Sequence, residues 1–354
     1  MQIETSASEA PRRIAANDYG RGIGIFLVVL GHALIGLGEH GIVTESAPGE
    51  LALLRAAVAW IYAFHMPVFF FLSGTLIERS VKKPFGEVLS SRLRAIAWPY
   101  VVWSLLQESL RELMGISQES VSDWWRILYR PMMQFWFLYV LFWLSLAYYG
   151  LRRLGVPRIG VLLVAVVLHA GHHYVRVPED ISWMYQELCK YGLYLAAGAV
   201  AAEWFERRPI PFVGSLPVRL LTVCAGYALI GVCVARDWPV NPTLLAFVGI
   251  LATLALASLL ATYRIASFVE QWGLLSLQIY VAHTIVAAAT RSLLLRCGVS
   301  EPVTQLIAQT AAGIYGPIAL YEVCRRLGCD WIFTLPRTRG PGVRSVGERS
   351  ANGG

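Results

Sequence analysis

The sequence has few charged residues. Asp, Glu, Lys and Arg make up 15% of its 354 residues, whereas a soluble domain carries about a quarter. Acidic side chains are especially scarce within the apolar runs, where Glu108, Glu187 and Glu322 are the main examples. Hydrophobic residues account for 56% of the chain. This composition excludes an ordinary soluble domain and predicts a polytopic integral membrane protein.

Cysteine pairs are also missing. The six cysteines include no Cys-x-x-Cys pair and no spacing typical of metal ligands. Most of them lie within apolar runs, where a cysteine behaves as a small hydrophobic residue. We therefore predict neither disulfides nor a bound metal.

The formal net charge of +7 does not indicate a nucleic-acid partner. The basic residues occur in short groups between apolar runs instead of forming one basic surface. This distribution is typical of the loops of a membrane protein, so we predict no nucleic acid and a lipid environment.

Ten apolar segments could cross a membrane as helices, which predicts an all-α protein with about ten transmembrane helices. Several are shorter than the about 20 residues that a hydrocarbon core requires. The segments are 22–38, 56–77, 95–113, 135–150, 159–173, 184–204, 218–235, 243–263, 273–295 and 303–327.

The basic residues predict the orientation of these spans. With the N-terminus inside, 21 of the 30 Lys and Arg residues fall on the inner side and eight on the outer side, while Lys190 lies within a span. This asymmetry predicts that both termini are cytoplasmic. The predicted parts are an N-terminal cytoplasmic tail, 1–17, a transmembrane domain, 18–335, and a basic, disordered cytoplasmic tail, 336–354.

The first span contains polar residues that are costly inside a membrane. Arg21 and His32 are eleven residues apart, which places them on one helix face and about 16 Å apart along the axis. That separation is on the scale of a pantetheine arm. Arg21 at the inner end is suited to nucleotide phosphates, while His32 lies deeper.

Two further spans carry a histidine at a similar predicted depth. His65 precedes Pro67 in the second span, and we expect that proline to kink the helix. His283 lies in the ninth span, three residues after Tyr280. The three histidines are predicted to share one polar cavity, although an intramembrane histidine can also simply link two helices by a hydrogen bond. His169, His172 and His173 lie toward the outer end of the fifth span, where an interfacial role is favoured.

These segments resemble the acyltransferase 3 family of bacterial membrane acyltransferases, in particular its fucose 4-O-acetylase-like and exopolysaccharide acetyltransferase branch. The run DYGRGIGIFLVVLGH at residues 18–32 is similar to the family's opening motif, and FHMPVFFFLSG at 64–74 to its second. Arg94 with Pro99-Tyr100, the run Trp136-Phe137-Leu138 and SLQIYVAH at 276–283 resemble later positions. Some relatives have two arginines three residues apart before the third span, whereas Arg92 and Arg94 are two apart here.

The resemblance implies an enzyme of the bacterial cytoplasmic (inner) membrane. Such enzymes transfer an acyl group, usually acetyl from cytoplasmic acetyl-CoA, to a hydroxyl of a surface glycan or its lipid-linked precursor. The expected partners are acetyl-CoA, the saccharide acceptor, membrane lipid and the polysaccharide assembly machinery. The residues expected to hold the CoA phosphates, or to orient those that do, are Asp18, Arg21, Arg92 and Arg94.

The same resemblance suggests the catalytic residues. His32 is expected to act as the general base toward the sugar hydroxyl, or to carry the acyl group covalently. His283, Tyr280 or His65 is expected to donate a hydrogen bond to the developing oxyanion or to orient the sugar. Two alternatives stay open: a transporter or flippase whose polar residues form a substrate path, and the same enzyme class with a succinyl or other acyl donor.

Overall fold

The computed structural model describes residues 5–115, 121–207 and 215–336, and its helices contain most of them. Helices α1 to α13 are Thr5–Glu39, Pro48–Tyr62, His65–Val81, Phe85–Arg92, Trp98–Leu113, Trp136–Arg153, Arg158–Gly171, Glu179–Arg207, Leu216–Ala235, Pro242–Tyr263, Ser267–Leu274, Ser276–Arg296 and Pro302–Leu327. A π-helical turn, Leu93–Ala97, joins α4 to α5. Short 3-10 helices cover Val121–Leu128, Met133–Phe135, His172–Tyr174 and Asp330–Ile332.

The all-α prediction is confirmed for the residues described, which contain no β-strand. Every predicted apolar segment lies on helix. Helix α1 begins at Thr5, within the predicted N-terminal tail, while the predicted C-terminal tail lies outside the described residues except for Pro336.

In the part of the chain that the structure describes, five helical segments are long and apolar enough to cross a membrane, or six if a bent pair forms one span. The bent pair is α11 and α12, whose axes differ by 87°. Helices α5 and α7, with 16 and 14 residues, are shorter than these spans. The number ten therefore stays a prediction. The five segments are Ala15–Glu39, Pro48–Val81, Trp124–Arg153, Leu216–Ala235 and Pro242–Tyr263.

The predicted kink at Pro67 is wrong in its position. The helix breaks earlier, at Ala63 and Phe64, and α3 starts at His65. Pro67 thus lies in the first turn of α3, where its missing N–H removes no hydrogen bond within the helix. The break leaves the carbonyl of Ile61 available to the side chain of His65, which bonds to it at 2.8 Å.

Helix α1 lies at the centre of the protein and contacts α2, α3 and α10 to α13. The helices that carry the three predicted histidines, α1, α3 and α12, therefore meet around α1. A second close contact joins α3 to α8, where a Cβ added to Gly74 would lie 2.0 Å from the carbonyl oxygen of Leu195. Small residues of this kind allow the backbones of membrane helices to approach.

An ion cluster joins α3, α6 and α7 at one end. Glu78 accepts hydrogen bonds from the hydroxyl of Tyr148 at 2.5 Å and from Nε of Arg152 at 2.7 Å. Arg158 forms an ion pair with the same carboxylate at 3.3 Å. Because a half-buried carboxylate is costly without partners, this pairing stabilises the arrangement of the three helices.

Candidate active site

The structure places two of the three histidines of the predicted cavity side by side. The ring of His32 on α1 lies 5.1 Å, centre to centre, from the ring of His283 on α12. His65 lies on α3, which packs against α1. The ring of Tyr62, which sequence reasoning did not select, lies 4.6 Å from that of His65.

Hydrogen bonds fix the tautomers of two of these histidines. Nδ1 of His283 lies 2.7 Å from the carbonyl oxygen of Tyr280, and Nδ1 of His65 makes the corresponding contact with Ile61. A carbonyl oxygen can only accept a hydrogen bond, so Nδ1 carries the proton in both rings. In the neutral rings, Nε2 is therefore a proton acceptor. Nε2 of His283 is buried and has no hydrogen-bond partner among the described residues.

Tyr280 is held in place by a buried polar group on a neighbouring segment. Its hydroxyl donates a hydrogen bond to the backbone carbonyl of Gln134. The side-chain amide of Gln134 in turn donates to Gln107 at 2.8 Å and to Thr284 at 2.9 Å. These contacts anchor α12 on both sides of its histidine, which favours a positioning role for Tyr280. Hydropathy gave no signal for Gln107 or Gln134, because single amides hardly change the average of an apolar window.

The tautomers bear on the predicted oxyanion contact. In the neutral state the N–H of His65, the N–H of His283 and the O–H of Tyr280 are all directed at backbone carbonyls. Each imidazole presents an acceptor nitrogen instead of a donor. The arrangement is therefore suited to receiving and sharing a proton from the substrate hydroxyl.

The predicted donor end of the site lies where α11 packs against α1. A Cβ added to Gly22 would lie 1.9 Å from the carbonyl oxygen of Val269, and one added to Gly273 would lie 1.8 Å from that of Asp18. The backbones of the two helices touch there, next to Arg21. This contact fixes the position of that part of α1 against α11. Asp18 acts electrostatically on Arg21, but no direct ion pair between them occurs in the described part of the chain.

The two arginines before the third span differ in their surroundings. Nε of Arg94 donates to the carbonyl of Ser90 at 3.2 Å. Nε of Arg92 is buried and has no hydrogen-bond partner within the described ranges. Arg92 also immediately precedes the π-helical turn, a feature frequent at functional sites. Of the two, Arg92 is the better candidate for a ligand contact.

Other polar or concave features do not belong to this cluster. His169 bonds to Thr243 on α10 at 2.8 Å, which links two helices. A cavity of about 510 Å³ lies between α6, α7 and α8, and neither a histidine nor a charged side chain lines it. Within the described residues, no group of three His, Cys, Asp or Glu side chains is placed to hold a metal ion.

Comparison with known proteins identifies the family of the chain. The profile of a protein family described as an acyltransferase domain matches residues 14–322, which include all the predicted site residues. The inner membrane protein YcfT of Escherichia coli (strain K12) is 25% identical over 294 residues, covering 75% of this chain and 77% of YcfT. The nodulation protein NolL of Mesorhizobium japonicum is 29% identical over 107 residues, covering 30% of this chain and 27% of NolL. No solved structure matches the chain. The chain belongs to the acyltransferase 3 family of membrane acyltransferases.

Proposed function

We propose that this membrane acyltransferase transfers an acetyl group from cytoplasmic acetyl-CoA to a sugar hydroxyl. The acceptor is a surface polysaccharide or exopolysaccharide, or its lipid-linked precursor, as in the fucose 4-O-acetylase-like and exopolysaccharide acetyltransferase branch. The enzyme works in the bacterial inner membrane. Similarity to the inner membrane protein YcfT supports that location.

The pairing of His32 with His283 carries the proposal. A deep histidine with a second imidazole 5.1 Å away can take up a proton where water is scarce. Arg21 lies on the same face of α1, about 16 Å toward the helix start. A thioester held by its phosphates at Arg21 therefore reaches His32 through its pantetheine arm.

Proton transfer in the proposed reaction runs through His32. It takes the proton of the sugar hydroxyl as the oxygen attacks the thioester carbonyl. The carbon–oxygen bond forms, the carbon–sulfur bond breaks, and His32 returns the proton to the CoA thiolate. While His32 is protonated, Nε2 of His283 accepts its other N–H and stabilises the charge. His65 adds a further acceptor, and Tyr280 keeps α12 in register.

Transfer of label tests the reaction. Detergent-purified protein, supplied with radiolabelled acetyl-CoA and isolated lipid-linked saccharide, is expected to produce labelled sugar. The label should be lost in mild alkali, because an O-ester hydrolyses there and an amide does not.

The other outcomes discriminate among the alternatives. Label on sugar only with succinyl-CoA would change the acyl group and keep the enzyme class. Label retained on denatured protein, but absent from His32→Ala, would indicate that His32 carries the acetyl group. Transport of the saccharide in proteoliposomes, without transfer from any acyl-CoA, would contradict the proposal.

The proposed reaction requires a defined orientation in the membrane. We propose ten spans with both termini in the cytoplasm, supported by the distribution of basic residues. Reporter fusions at Lys83 and Arg339 are expected to read cytoplasmic, and a fusion at Glu45 to read external. A cytoplasmic signal at Glu45 would contradict this topology, because Arg21 and Glu45 would then not lie on opposite sides.

A further inference from the structure

Helices α1 and α12 run parallel, and their contacts continue beyond the histidines. His32 faces His283, and eight residues further along each chain segment His40, in the turn just after α1, faces Arg291. Nη2 of Arg291 lies 3.0 Å from Nε2 of His40. A Cβ added to Gly36 would lie 2.6 Å from Nη1 of the same arginine. The guanidinium therefore lies against α1 one turn beyond His32, at a position where a Cβ would displace it.

The hydrogen-bond partners of this guanidinium are neutral. His40 donates from Nδ1 to the carbonyl of Gly36 at 3.2 Å, so its Nε2 accepts from Arg291. Nη1 of Arg291 lies 3.4 Å from Oε1 of Gln309, a fully buried residue. The carboxylate of Glu39 acts electrostatically on Arg291, but no carboxylate forms an ion pair with it among the residues described. Because a guanidinium has five N–H donors, several of them can bind an anion.

Arg21, and the point at which Arg291 of α12 touches α1, lie toward opposite ends of one face of α1. Gly36, which touches Arg291, is four residues or about 6 Å beyond His32. Arg21 is about 16 Å away in the other direction. If the donor occupies the Arg21 end, the acceptor has to approach His32 from the Arg291 end.

We propose that Arg291, held by His40 and Gln309, binds an anionic group of the acyl acceptor, either a phosphate or a carboxylate. The proposal rests on the acyl transfer described above. It assigns the two ends of the α1 face that carries His32 to the two substrates of that reaction. A guanidinium suits both anions, since each accepts two parallel N–H bonds from it. A lipid-linked saccharide would carry the phosphate, and an acidic sugar would carry the carboxylate.

A binding experiment without turnover tests the proposal. Full-length protein labelled with ¹⁵N on histidine, in neutral detergent, is titrated with a polyprenyl phosphate, D-glucuronate, D-glucose or phosphatidylglycerol. The His40 resonance, assigned with His40→Gln, reports on the group bonded to Arg291. We expect a saturable shift with the polyprenyl phosphate or D-glucuronate and none with D-glucose. The probe that binds identifies the anion.

Three variants show whether the shift comes from Arg291. Arg291→Gln should weaken binding by about ten- to a hundred-fold, the effect of a charge-assisted hydrogen bond. Gly36→Ala keeps the charge, but its Cβ displaces the guanidinium, so it should weaken binding in the same direction. Arg296→Gln removes an exposed charge from the end of the same helix and should leave binding unchanged.

Several results would overturn the proposal. One is the absence of a saturable shift with either anionic probe, and another is an equal shift in Arg291→Gln. A third is an equally strong response to phosphatidylglycerol, which would make Arg291 a general lipid contact. Because no acyl transfer is needed, failure here is distinct from failure of the labelled-acetyl assay. An intact His40 response beside an absence of label on sugar would retain the anion site and reject the reaction.

Discussion

Replacement of His32 with alanine is expected to lower turnover by about 10²- to 10⁴-fold, the usual loss when a positioned general base is removed. The physical reason is the position of the ring. His32 lies 5.1 Å, ring centre to ring centre, from a fully buried histidine whose Nε2 has no hydrogen-bond partner among the described residues, so we expect a proton taken from the sugar hydroxyl to be shared there. The measurement is the initial rate of acetyl transfer by purified, folded protein, together with CoA binding, which should be unchanged.

Variants of Arg21 provide the matched comparison for His32. Arg21→Ala should mainly raise the acetyl-CoA concentration needed for half-maximal rate, because it removes a phosphate contact. Arg21→Lys should recover much of that loss, since a phosphate also accepts a point charge. Near-normal turnover in well-folded His32→Ala would show that the proposed base is wrong, and His65 or His283 would become the leading candidate.

Replacement of Gly22 with alanine is expected to destabilise the protein by at least about 3 kcal/mol, at the upper end of the cost of overpacking. The added Cβ would lie 1.9 Å from the carbonyl oxygen of Val269. Both helices touch there through backbone atoms, so no side-chain rotation can relieve the clash. Helix α11 would have to move away from α1, and with it the surroundings of Arg21. The measurement is thermal unfolding in detergent, followed by size-exclusion chromatography.

Gly150→Ala is the matched control for Gly22→Ala. Gly150 also lies in an α-helix, α6, but a Cβ added there has no atom within 4 Å. Alanine at that position should leave stability unchanged or raise it by up to about 1 kcal/mol through helix propensity. Equal stability of the two variants would contradict the close approach of α1 and α11.

The sequence by itself determined the class of the protein and its main polar face. Low charge and long apolar segments require helices in a membrane, because a helix satisfies its own backbone hydrogen bonds in lipid. The eleven-residue spacing of Arg21 and His32 puts them on one face of one helix through helical geometry alone. The family followed from motifs in the first two spans, and the matched profile over residues 14–322 confirmed it.

Only the tertiary structure decided how the spans meet. Which histidine faces which depends on contacts between residues far apart in the sequence. The proton positions of His65 and His283 follow from carbonyls three or four residues earlier in the chain, and the sequence did not predict the break before His65. The guanidinium of Arg291 lies against Gly36 of α1, a contact that hydropathy cannot show. Helical periodicity fixes the direction of a side chain around its own axis, whereas packing against neighbouring helices fixes what that side chain meets.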